Sequence, residues 1–472
     1  MLDPHVVENV MAHPLAQRVF RYITRERRDG RSLLEDAMIS YGGDGEGIPL
    51  EEKLGSFPLK LALGALRKWG FKASKQSVKE QVFGDVHTRR AIVNVIRSVG
   101  ELGLTRPQAF LSPLLVVWNF TDACNLRCRH CYQEAGRPSE DEMSVEEKKE
   151  VVDQLADAYV PLLAFSGGEP LMGKGFWEVA EYAKDRGIWL SVATNGTLIT
   201  PEVAERLYDV GIDYIQISLD SPVPERHDWF RGIPGAWKKT VEGIKNAVAA
   251  KKRPTSSVGV AMVLMRWNYG EVDDMVKLVA DLGVDIFYIY NFIPVGNARA
   301  MAEQDISPEM REDVLHKLYR YLAEGRISVM TTSPQFGRVC MMEAPAGGRM
   351  VMGHYGIDAG ERARVLAQYI GGCGAGRAYC CIEPDGTVTP CVFMKLPVGD
   401  LRKQRFLDIW RNSPVMSKLR DRENLKENCR SCEYRPVCGG CRARAYNYFG
   451  DYLGPDPGCI NNISRWQALK AA

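Results

Sequence analysis

The chain has 472 residues, of which 45% are apolar and 25% are charged, and its formal net charge is +2. This length has room for two or three domains, and the apolar content is ordinary for a globular protein. The small net charge argues against a protein whose main partner is nucleic acid.

Residues 1–110 are predicted to form a mostly helical N-terminal extension, with helices at Pro14 to Arg27 and His87 to Leu102. The segment Pro58 to Lys75 combines leucines, a tryptophan and a phenylalanine with five lysine or arginine side chains. A basic amphipathic helix of this kind can pack on a core, lie on a membrane surface, or hold a peptide or carrier. We favour the packing helix and keep peripheral membrane contact through residues 58–75 as the alternative.

Three cysteines follow the next predicted strand, Leu114 to Phe120. They are Cys124, Cys128 and Cys131, in a CxxxCxxC loop. Such a loop offers three thiolates to a four-iron cluster and leaves the fourth iron free to bind a substrate or cofactor. A zinc loop is the alternative, but zinc sites usually fill all four positions with a second CxxC or a histidine pair. The spacing therefore predicts an iron–sulfur cluster with one open iron.

Three further predicted strands end in polar or glycine-rich turns. Pro161 to Phe165 leads into Ser166-Gly167-Gly168-Glu169-Pro170, Ile188 to Ala193 leads into Thr194-Asn195-Gly196, and Tyr214 to Leu219 ends in Ser218-Leu219-Asp220. Successive glycines let backbone amides approach a ligand closely. The two glycines of the first turn therefore indicate a ligand close to Gly167 and Gly168.

Val258 to Leu264 and Ile286 to Phe292 are predicted as strands five and six. Amphipathic helices are predicted between strands at Ser144 to Ala158, Phe176 to Asp185, Pro201 to Val210, Trp237 to Ala250 and Glu271 to Leu282. Alternating strands and helices indicate parallel pairing with right-handed crossovers. The predicted fold is α/β, a partial (β/α)6 TIM-like barrel over residues 111–300 with its chemistry at the C-terminal strand ends, followed by a bridging region over residues 301–370.

A second group of cysteines lies near the C-terminus, in the pattern Cys429-x2-Cys432-x5-Cys438-x2-Cys441, with Cys459 further along. Upstream cysteines stand on either side of the turn Pro384-Asp385-Gly386, at positions Cys373, Cys380, Cys381 and Cys391. The CxxC spacing alone also suits a zinc ribbon.

Together, and in this order, these motifs resemble the signature of the radical SAM superfamily with a C-terminal SPASM extension. The likeness is greatest to its heme and heme d1 synthesis branch and to its peptide maturases. The resemblance implies S-adenosylmethionine bound by residues at the strand ends and in the cysteine loop, namely His130, Gly167, Gly168, Glu169, Pro170, Thr194, Asn195, Ser218 and Asp220. His130 is expected to contact the adenine, with a plain loop histidine as the alternative.

The resemblance also implies three four-iron clusters, with the radical cluster on Cys124, Cys128 and Cys131. A SPASM domain over residues 371–472 is expected to hold an outer auxiliary cluster on Cys429, Cys432, Cys438 and Cys459, and an inner one on Cys373, Cys380, Cys391 and Cys441. If Asp385-Gly386 is a two-residue hairpin turn, Cys380 faces Cys391, whereas a three-residue loop brings Cys381 opposite. We prefer Cys380; an inner cluster with one open iron is a further alternative.

The implied activity is reductive cleavage of S-adenosylmethionine to a 5'-deoxyadenosyl radical, which abstracts a hydrogen atom from an unactivated carbon. The auxiliary clusters then pass on an electron, and a ferredoxin- or flavodoxin-type protein is the expected donor. The expected substrate is a tetrapyrrole side chain or a peptide. A lipid-modifying enzyme that forms carbon–carbon bonds and a non-catalytic electron-transfer protein are the alternatives. No catalytic side chain is predicted.

The N-terminal residues Met1 to Val10 are mixed in polarity, which does not fit a signal peptide, and no apolar run is long enough to span a bilayer. Because thiolate-bound clusters need a reducing compartment, we expect a cytoplasmic protein from an anaerobic or oxygen-avoiding organism.

Overall fold

The computed structural model describes residues 4–27, 30–42, 48–65, 83–344, 350–352, 355–357 and 363–471. Its strands, numbered in chain order, are β1 Leu115–Thr121, β2 Leu162–Gly167, β3 Trp189–Thr194, β4 Ile212–Ser218, β5 Ser257–Leu264, β6 Ile286–Asn291, β7 Ser328–Thr331, β8 Met350–Met352, β9 Tyr355–Ile357, β10 Tyr379–Ile382, β11 Thr387–Thr389 and β12 Gly399–Asp400.

All of these strands except the β8–β9 hairpin belong to one sheet with the order β12-β11-β10-β1-β2-β3-β4-β5-β6-β7. Strands β1 to β7 pair in parallel with their neighbours, and the sheet does not close. The partial TIM-like barrel predicted from the sequence is therefore confirmed. The structure adds β7, a parallel strand of four residues that comes from the predicted bridging region.

The five helices predicted between strands, and the two predicted at Pro14 to Arg27 and His87 to Leu102, are present, and their ends differ from the predicted ends by only a few residues. The helix Pro224–Arg231 between β4 and β5 was not predicted. The helices of the described residues are numbered here in chain order. They are α1 Pro4–Ala12, α2 Pro14–Thr24, α3 Leu33–Gly42, α4 Leu50–Ala65, α5 Val86–Leu102, α6 Val145–Asp157, α7 Phe176–Asp185, α8 Pro201–Asp209, α9 Pro224–Arg231, α10 Ala236–Ala249, α11 Val272–Asp281, α12 Pro308–Glu324, α13 Gln335–Glu343, α14 Ala363–Ile370, α15 Phe406–Asn412, α16 Pro414–Arg420, α17 Glu427–Ser431, α18 Arg442–Phe449 and α19 Ile463–Ala471.

Local sequence explains where helix α6 begins. Ser144 caps its N-terminus by accepting a hydrogen bond from the Glu147 amide, and the Glu147 carboxylate accepts one from the Ser144 amide. This capping box satisfies two backbone donors that would otherwise lack partners. Arg402, just beyond β12, donates to the same Glu147 carboxylate at 2.7 Å. The first turn of α6 thus also ties the barrel to the C-terminal domain.

The N-terminal helices form their own small core, which includes Leu34, Met38 and Val93, and it packs against Tyr159 of the barrel. The Tyr159 hydroxyl donates to the Gly30 carbonyl at 3.0 Å, and the Arg97 guanidinium lies 4.6 Å from the centre of the Tyr159 ring. The extension therefore packs on the barrel through a buried aromatic side chain and the cation above it.

The predicted basic helix at residues 58–75 is described only as far as Ala65, and its remainder lies outside the described residues. In the described part of α4, Leu59 and Leu63 pack against the N-terminal core, while Phe57 and Leu61 are exposed. Across the described ranges, we find no helix that is both long and apolar enough to cross a bilayer. Membrane contact through this segment stays a prediction.

The C-terminal domain continues the barrel sheet, because β10 pairs in parallel with β1. Cys381 pairs with Thr389 across β10 and β11, and the Glu383 amide donates to the Thr387 carbonyl at 2.8 Å, so the turn is a three-residue loop at 384–386. Extended by two residues, this register places Tyr379 opposite Cys391. The prediction of a two-residue hairpin turn with Cys380 opposite Cys391 is wrong, and so is the alternative that placed Cys381 there.

Candidate active site and cluster sites

The cysteine loop after β1 holds its thiols near backbone amides. The Leu126 amide donates to Cys124 Sγ at 3.5 Å, and the Ala135 amide donates to Cys131 Sγ at 3.4 Å. Burial raises the pKa of the Cys124 thiol to about 12, so the free thiol is protonated. Since a coordinating metal ion deprotonates a thiol outright, these donors suit a metal cluster and are poor nucleophiles without one.

Gly167 and Gly168 bring the end of β2 against the cysteine loop. The Gly168 and Glu169 amides donate to the carbonyls of Thr121 and Ala123 at 2.7 and 2.8 Å. A Cβ atom at Gly168 would lie 2.3 Å from the Ala123 carbonyl oxygen, and Gly167 has a φ of +114°. Only glycine fits here. The amides of Gly168 and Glu169 bind the protein itself, which differs from our expectation that such amides approach a ligand; Pro170 begins the short 3-10 helix that follows.

Glu169 connects the ends of β2 and β3. Its fully buried carboxylate accepts hydrogen bonds from the Thr194 hydroxyl at 2.8 and 2.9 Å, from the Asn195 amide at 2.9 Å and from the Leu171 amide at 3.3 Å. Burial nevertheless raises the pKa of Glu169 to about 7. These bonds take up most of the acceptor sites of a carboxylate, so Glu169 first of all shapes the loop.

Asn195 ties the end of β3 to the cysteine loop. Its side-chain amide donates to Asn125 Oδ1 at 2.8 Å, and its own Oδ1 accepts from the Thr197 hydroxyl at 2.6 Å. Ser218, the last residue of β4, is half-buried. Glu169 and Asn195 therefore come together at the cysteine loop, as expected for the C-terminal ends of parallel strands.

His130 stacks on Phe230 of α9, with ring centres 3.8 Å apart and planes 7° apart. Its Nδ1 atom is buried and has no hydrogen-bond partner among the described residues. Burial holds the pKa of His130 well below its usual value, and the nearby Arg231 and His227 add to the effect, so the imidazole is neutral. A buried nitrogen without a partner is costly, and a ligand that contacts it would remove that cost.

Asp220 lies after β4, where its fully buried carboxylate accepts from the Arg231 Nε at 2.6 Å and from the Val263 amide at 2.9 Å. The Arg231 guanidinium in turn reaches Cys128 Sγ at 3.8 Å. Asp220 therefore acts on the cysteine loop through Arg231, and its predicted contact with the cofactor stays a prediction. Sequence analysis missed Arg231, whose position follows only from the packing of α9.

A polar network lines the barrel mouth between the cysteine loop and β10. Lys395 Nζ donates to both carboxylate oxygens of Glu383 at 2.9 Å and to Gln133 Oε1 at 2.6 Å, and Asn119 donates to Gln133 and Glu383 at 2.9 Å each. We call Asn119, Gln133, Glu383 and Lys395 the mouth network. None of these four was singled out from the sequence, although Gln133 lies only two residues after Cys131.

All four predicted outer-cluster cysteines line one cavity, namely Cys429, Cys432, Cys438 and Cys459. The Gly440 amide donates to Cys438 Sγ at 3.3 Å, and the Arg442 guanidinium and the Asn462 amide reach Cys429 Sγ at 3.8 and 3.9 Å. Hydrogen bonds of this kind orient thiolate ligands and stabilise their charge. The donor set fits a four-iron cluster held by four cysteines.

The predicted inner-cluster cysteines Cys391 and Cys441 share a second buried group with Cys381, and Cys373 packs against it. Cys380 instead belongs to the barrel core, because neighbouring residues of a strand point to opposite faces. The structure thus separates Cys380 from the other three cysteines of the predicted set, which lie together in the second buried group.

Comparison with known proteins agrees with this geometry. A family model described as the Radical SAM superfamily matches residues 118–279, and one described as SPASM, an iron-sulfur cluster-binding domain, matches residues 373–433. An AdoMet-dependent heme synthase of Methanosarcina barkeri is 34% identical over 351 residues, which cover 74% of this chain and 97% of that protein. The chain belongs to the radical SAM superfamily.

Two further likenesses bear on this radical SAM enzyme. The mycofactocin maturase MftC of Mycobacterium tuberculosis H37Rv is 31% identical over 75% of this chain and 84% of that protein. The crystal structure of Streptococcus suis SuiB bound to S-adenosylmethionine has a TM-score of 0.62 at 16% identity and covers 91% of this chain and 93% of that one. S-adenosylmethionine and iron–sulfur clusters are therefore the cofactors of this enzyme.

Glu169→Gln should weaken the binding of S-adenosylmethionine roughly tenfold or more, because an uncharged side chain makes weaker hydrogen bonds to the loop and to an ammonium group. In the wild type, affinity should fall by up to about tenfold per pH unit below pH 7, as Glu169 takes up a proton. Calorimetric titration under anaerobic conditions measures both effects. Glu178→Gln, at an exposed position, is the control. Equal affinity in the Glu169 variant would show that this carboxylate does not support the site.

Proposed function

We propose that this enzyme oxidises a carboxylate-bearing side chain of a tetrapyrrole, with three four-iron clusters and S-adenosylmethionine as its cofactors. The observation that carries the proposal is the 34% identity to AdoMet-dependent heme synthases, one of which is covered over 97% of its length. The expected reaction is oxidative decarboxylation of a propionate group. In that reaction the side chain loses one hydrogen atom, one molecule of CO2 and one electron, and becomes a vinyl group.

The cofactor set would supply a 5'-deoxyadenosyl radical as the acceptor of the hydrogen atom. Cys124, Cys128 and Cys131 would hold the cluster at which it forms, and a ferredoxin- or flavodoxin-type protein would deliver the reducing electron. The released electron would pass to the C-terminal clusters. The outer one has a ready set of four ligands in Cys429, Cys432, Cys438 and Cys459.

The side chains at the barrel mouth favour a flat, acidic substrate. The walls of the mouth would include the Phe393 ring, which meets the rings of Tyr132 and Tyr290 edge-on with centres 5.1 and 6.4 Å apart. Aromatic walls favour a planar ring system. Lys395 of the mouth network has a side chain that is one third exposed, so it can also meet an incoming carboxylate.

The position of the barrel mouth also supports the proposed electron transfer to the C-terminal domain. Tyr132 directly follows the radical-cluster ligand Cys131, and Phe393 lies two residues after Cys391. Their ring contact brings the cysteine loop after β1 close to the segment that carries Cys391. A substrate bound there would lie between the site of hydrogen abstraction and an electron acceptor.

Incubation of the anaerobically reconstituted enzyme with an iron tetrapyrrole that carries propionate groups tests the proposal. We expect formation of 5'-deoxyadenosine together with a product lighter by CO2 and hydrogen, measured by mass spectrometry. Lys395→Gln should raise KM about tenfold to a hundredfold through loss of a charge-assisted hydrogen bond. The matched control is Lys403→Gln, at an exposed position where the side chain pairs with Asp400. Unchanged tetrapyrrole in the presence of active cleavage would contradict the substrate assignment.

A peptide is the second candidate substrate, favoured by the 31% identity to mycofactocin maturases. The helical extension before the matched residues 118–279 packs on the barrel and would offer a surface for such a partner. In that case, cofactor cleavage should be stimulated by peptide and not by tetrapyrrole. The lipid-modifying alternative depends on residues 58–75, most of which lie outside the described residues.

A further inference from the structure

The buried group of Cys373, Cys391 and Cys441 lacks the fourth cysteine that the prediction assigned to it. The phenol oxygen of Tyr379 lies in the same group. We propose that the phenol oxygen of Tyr379 is the fourth ligand of the inner auxiliary cluster, beside Cys373, Cys391 and Cys441. This inference rests on the proposed presence of that cluster. It assigns a tyrosine, at the first position of β10, to a site that the sequence motifs fill with cysteine alone.

The Tyr379 side chain points into the cysteine group. Its hydroxyl donates to Cys391 Sγ at 2.6 Å, and it lies close enough to Cys373 and Cys441 to interact electrostatically with both thiols. The same three cysteines interact with one another, since Cys373 lies near both Cys391 and Cys441. One phenol oxygen and three sulfurs therefore share one buried space.

The backbone around Tyr379 fixes this orientation. The Tyr379 amide donates to the Gly374 carbonyl at 3.1 Å, and the Tyr379 carbonyl accepts from the Gly376 amide at 3.0 Å. A Cβ atom at Gly374 would lie 3.1 Å from Cδ1 of the Tyr379 ring, so the ring packs tightly against the residue that follows Cys373. The turn that carries Cys373 thus holds the phenol beside it.

The two neighbouring cysteines make different contacts. Cys380 lies on the opposite face of β10, in the barrel core. Cys381 lies on the same face as Tyr379, but its thiol donates to the Ile382 carbonyl at 3.5 Å and lies 3.9 Å from Glu383 Oε1, towards the mouth network. Cys381 lies near Cys391 as well, but the hydrogen bond to the Cys391 thiol comes from the Tyr379 hydroxyl.

Iron accepts phenolate ligands in proteins, as the tyrosine-ligated haem of catalase shows. On binding iron the phenol would release its proton to solvent, with no change in oxidation state. The oxygen ligand would be harder than the thiolates that hold the other corners of the cluster. The inner cluster would then have one corner that is chemically distinct from the other three.

Resonance Raman spectroscopy of the full-length, reconstituted enzyme tests the proposal, because only a tyrosine bound to iron shows enhanced ring vibrations on excitation of an iron–phenolate transition. The wild type should show these bands, and they should shift when the protein is made with ring-deuterated tyrosine. Tyr379→Phe should lose them. Tyr379→Cys should keep the cluster, with about twelve irons per chain if all three clusters assemble, and should also lack the bands.

Cys381→Ser is the matched control, and it should leave the tyrosine bands unchanged. Absence of the bands in the wild type, or their persistence in Tyr379→Phe, would overturn the assignment. Failure of the proposed function has a different signature, namely recovery of unchanged tetrapyrrole from preparations that still form 5'-deoxyadenosine. The barrel site that forms it contains neither Tyr379 nor Cys381, so the two results are independent.

Discussion

Replacing Cys124, Cys128 and Cys131 together by alanine should abolish 5'-deoxyadenosine formation, with a loss below the detection limit. These three thiols are the proposed ligands of the radical cluster, and their removal would leave the cofactor with no reductant. Iron should fall from about twelve to about eight per chain, because the C-terminal ligands are untouched. Anaerobic iron and sulfide analysis and chromatographic detection of the nucleoside measure the two effects.

Cys340→Ala is the control for cysteine removal. This buried thiol lies on α13 and belongs to none of the three predicted ligand sets, so both cleavage and iron content should remain at wild-type levels. Continued cleavage by the triple variant would show that the radical site lies elsewhere. A wild-type iron content near four, or stoichiometric zinc, would contradict the three-cluster assignment.

The double variant Cys432→Ala, Cys438→Ala should separate cofactor cleavage from product formation. Both side chains line the outer-cluster cavity, which is remote in sequence from the barrel strand ends. We expect uncoupled formation of 5'-deoxyadenosine to continue. Product formation should fall at least a hundredfold, because the electron released by the substrate radical can no longer pass to the outer cluster. Parallel quantification of nucleoside and product in single-turnover reactions gives the ratio.

Cys380→Ala is the matched control for this double variant, since its thiol packs in the barrel core and is not part of a cluster site in the structure. It should keep the wild-type ratio of product to nucleoside. If the double variant also keeps that ratio, the outer cluster is not needed to accept the electron. Loss of cleavage as well as product would instead point to a structural role for the outer cluster in the barrel.

The sequence predicted the order and boundaries of the barrel elements well because the signal is local. Alternation of apolar segments with polar turns defines β1 to β6, and the capping residue Ser144 marks the start of α6. Strand β7 escaped prediction because it has only four residues and lies at the sheet edge, where burial is less complete. The loop of β10 and β11 was predicted one residue too short, and that single residue changed which side chain faces Cys391.

For the candidate site, residues that belong to short motifs were predicted, and residues brought in by packing were not. Gly167 and Gly168 illustrate the first kind, although their reason differs from the predicted one: they let β2 approach the cysteine loop. Arg231, Lys395 and Tyr379 illustrate the second kind. Each approaches the site from another element, so its position depends on the fold and not on spacing along the chain.

Transfer of deuterium from substrate to cofactor tests the central claim most directly. A tetrapyrrole that carries deuterium on its propionate side chains should yield deuterium-labelled 5'-deoxyadenosine, together with CO2 and a vinyl product, when it is incubated with the reconstituted enzyme and S-adenosylmethionine. Mass spectrometry of the nucleoside reads the label. Unlabelled 5'-deoxyadenosine formed while the tetrapyrrole is recovered intact would contradict hydrogen abstraction from this substrate.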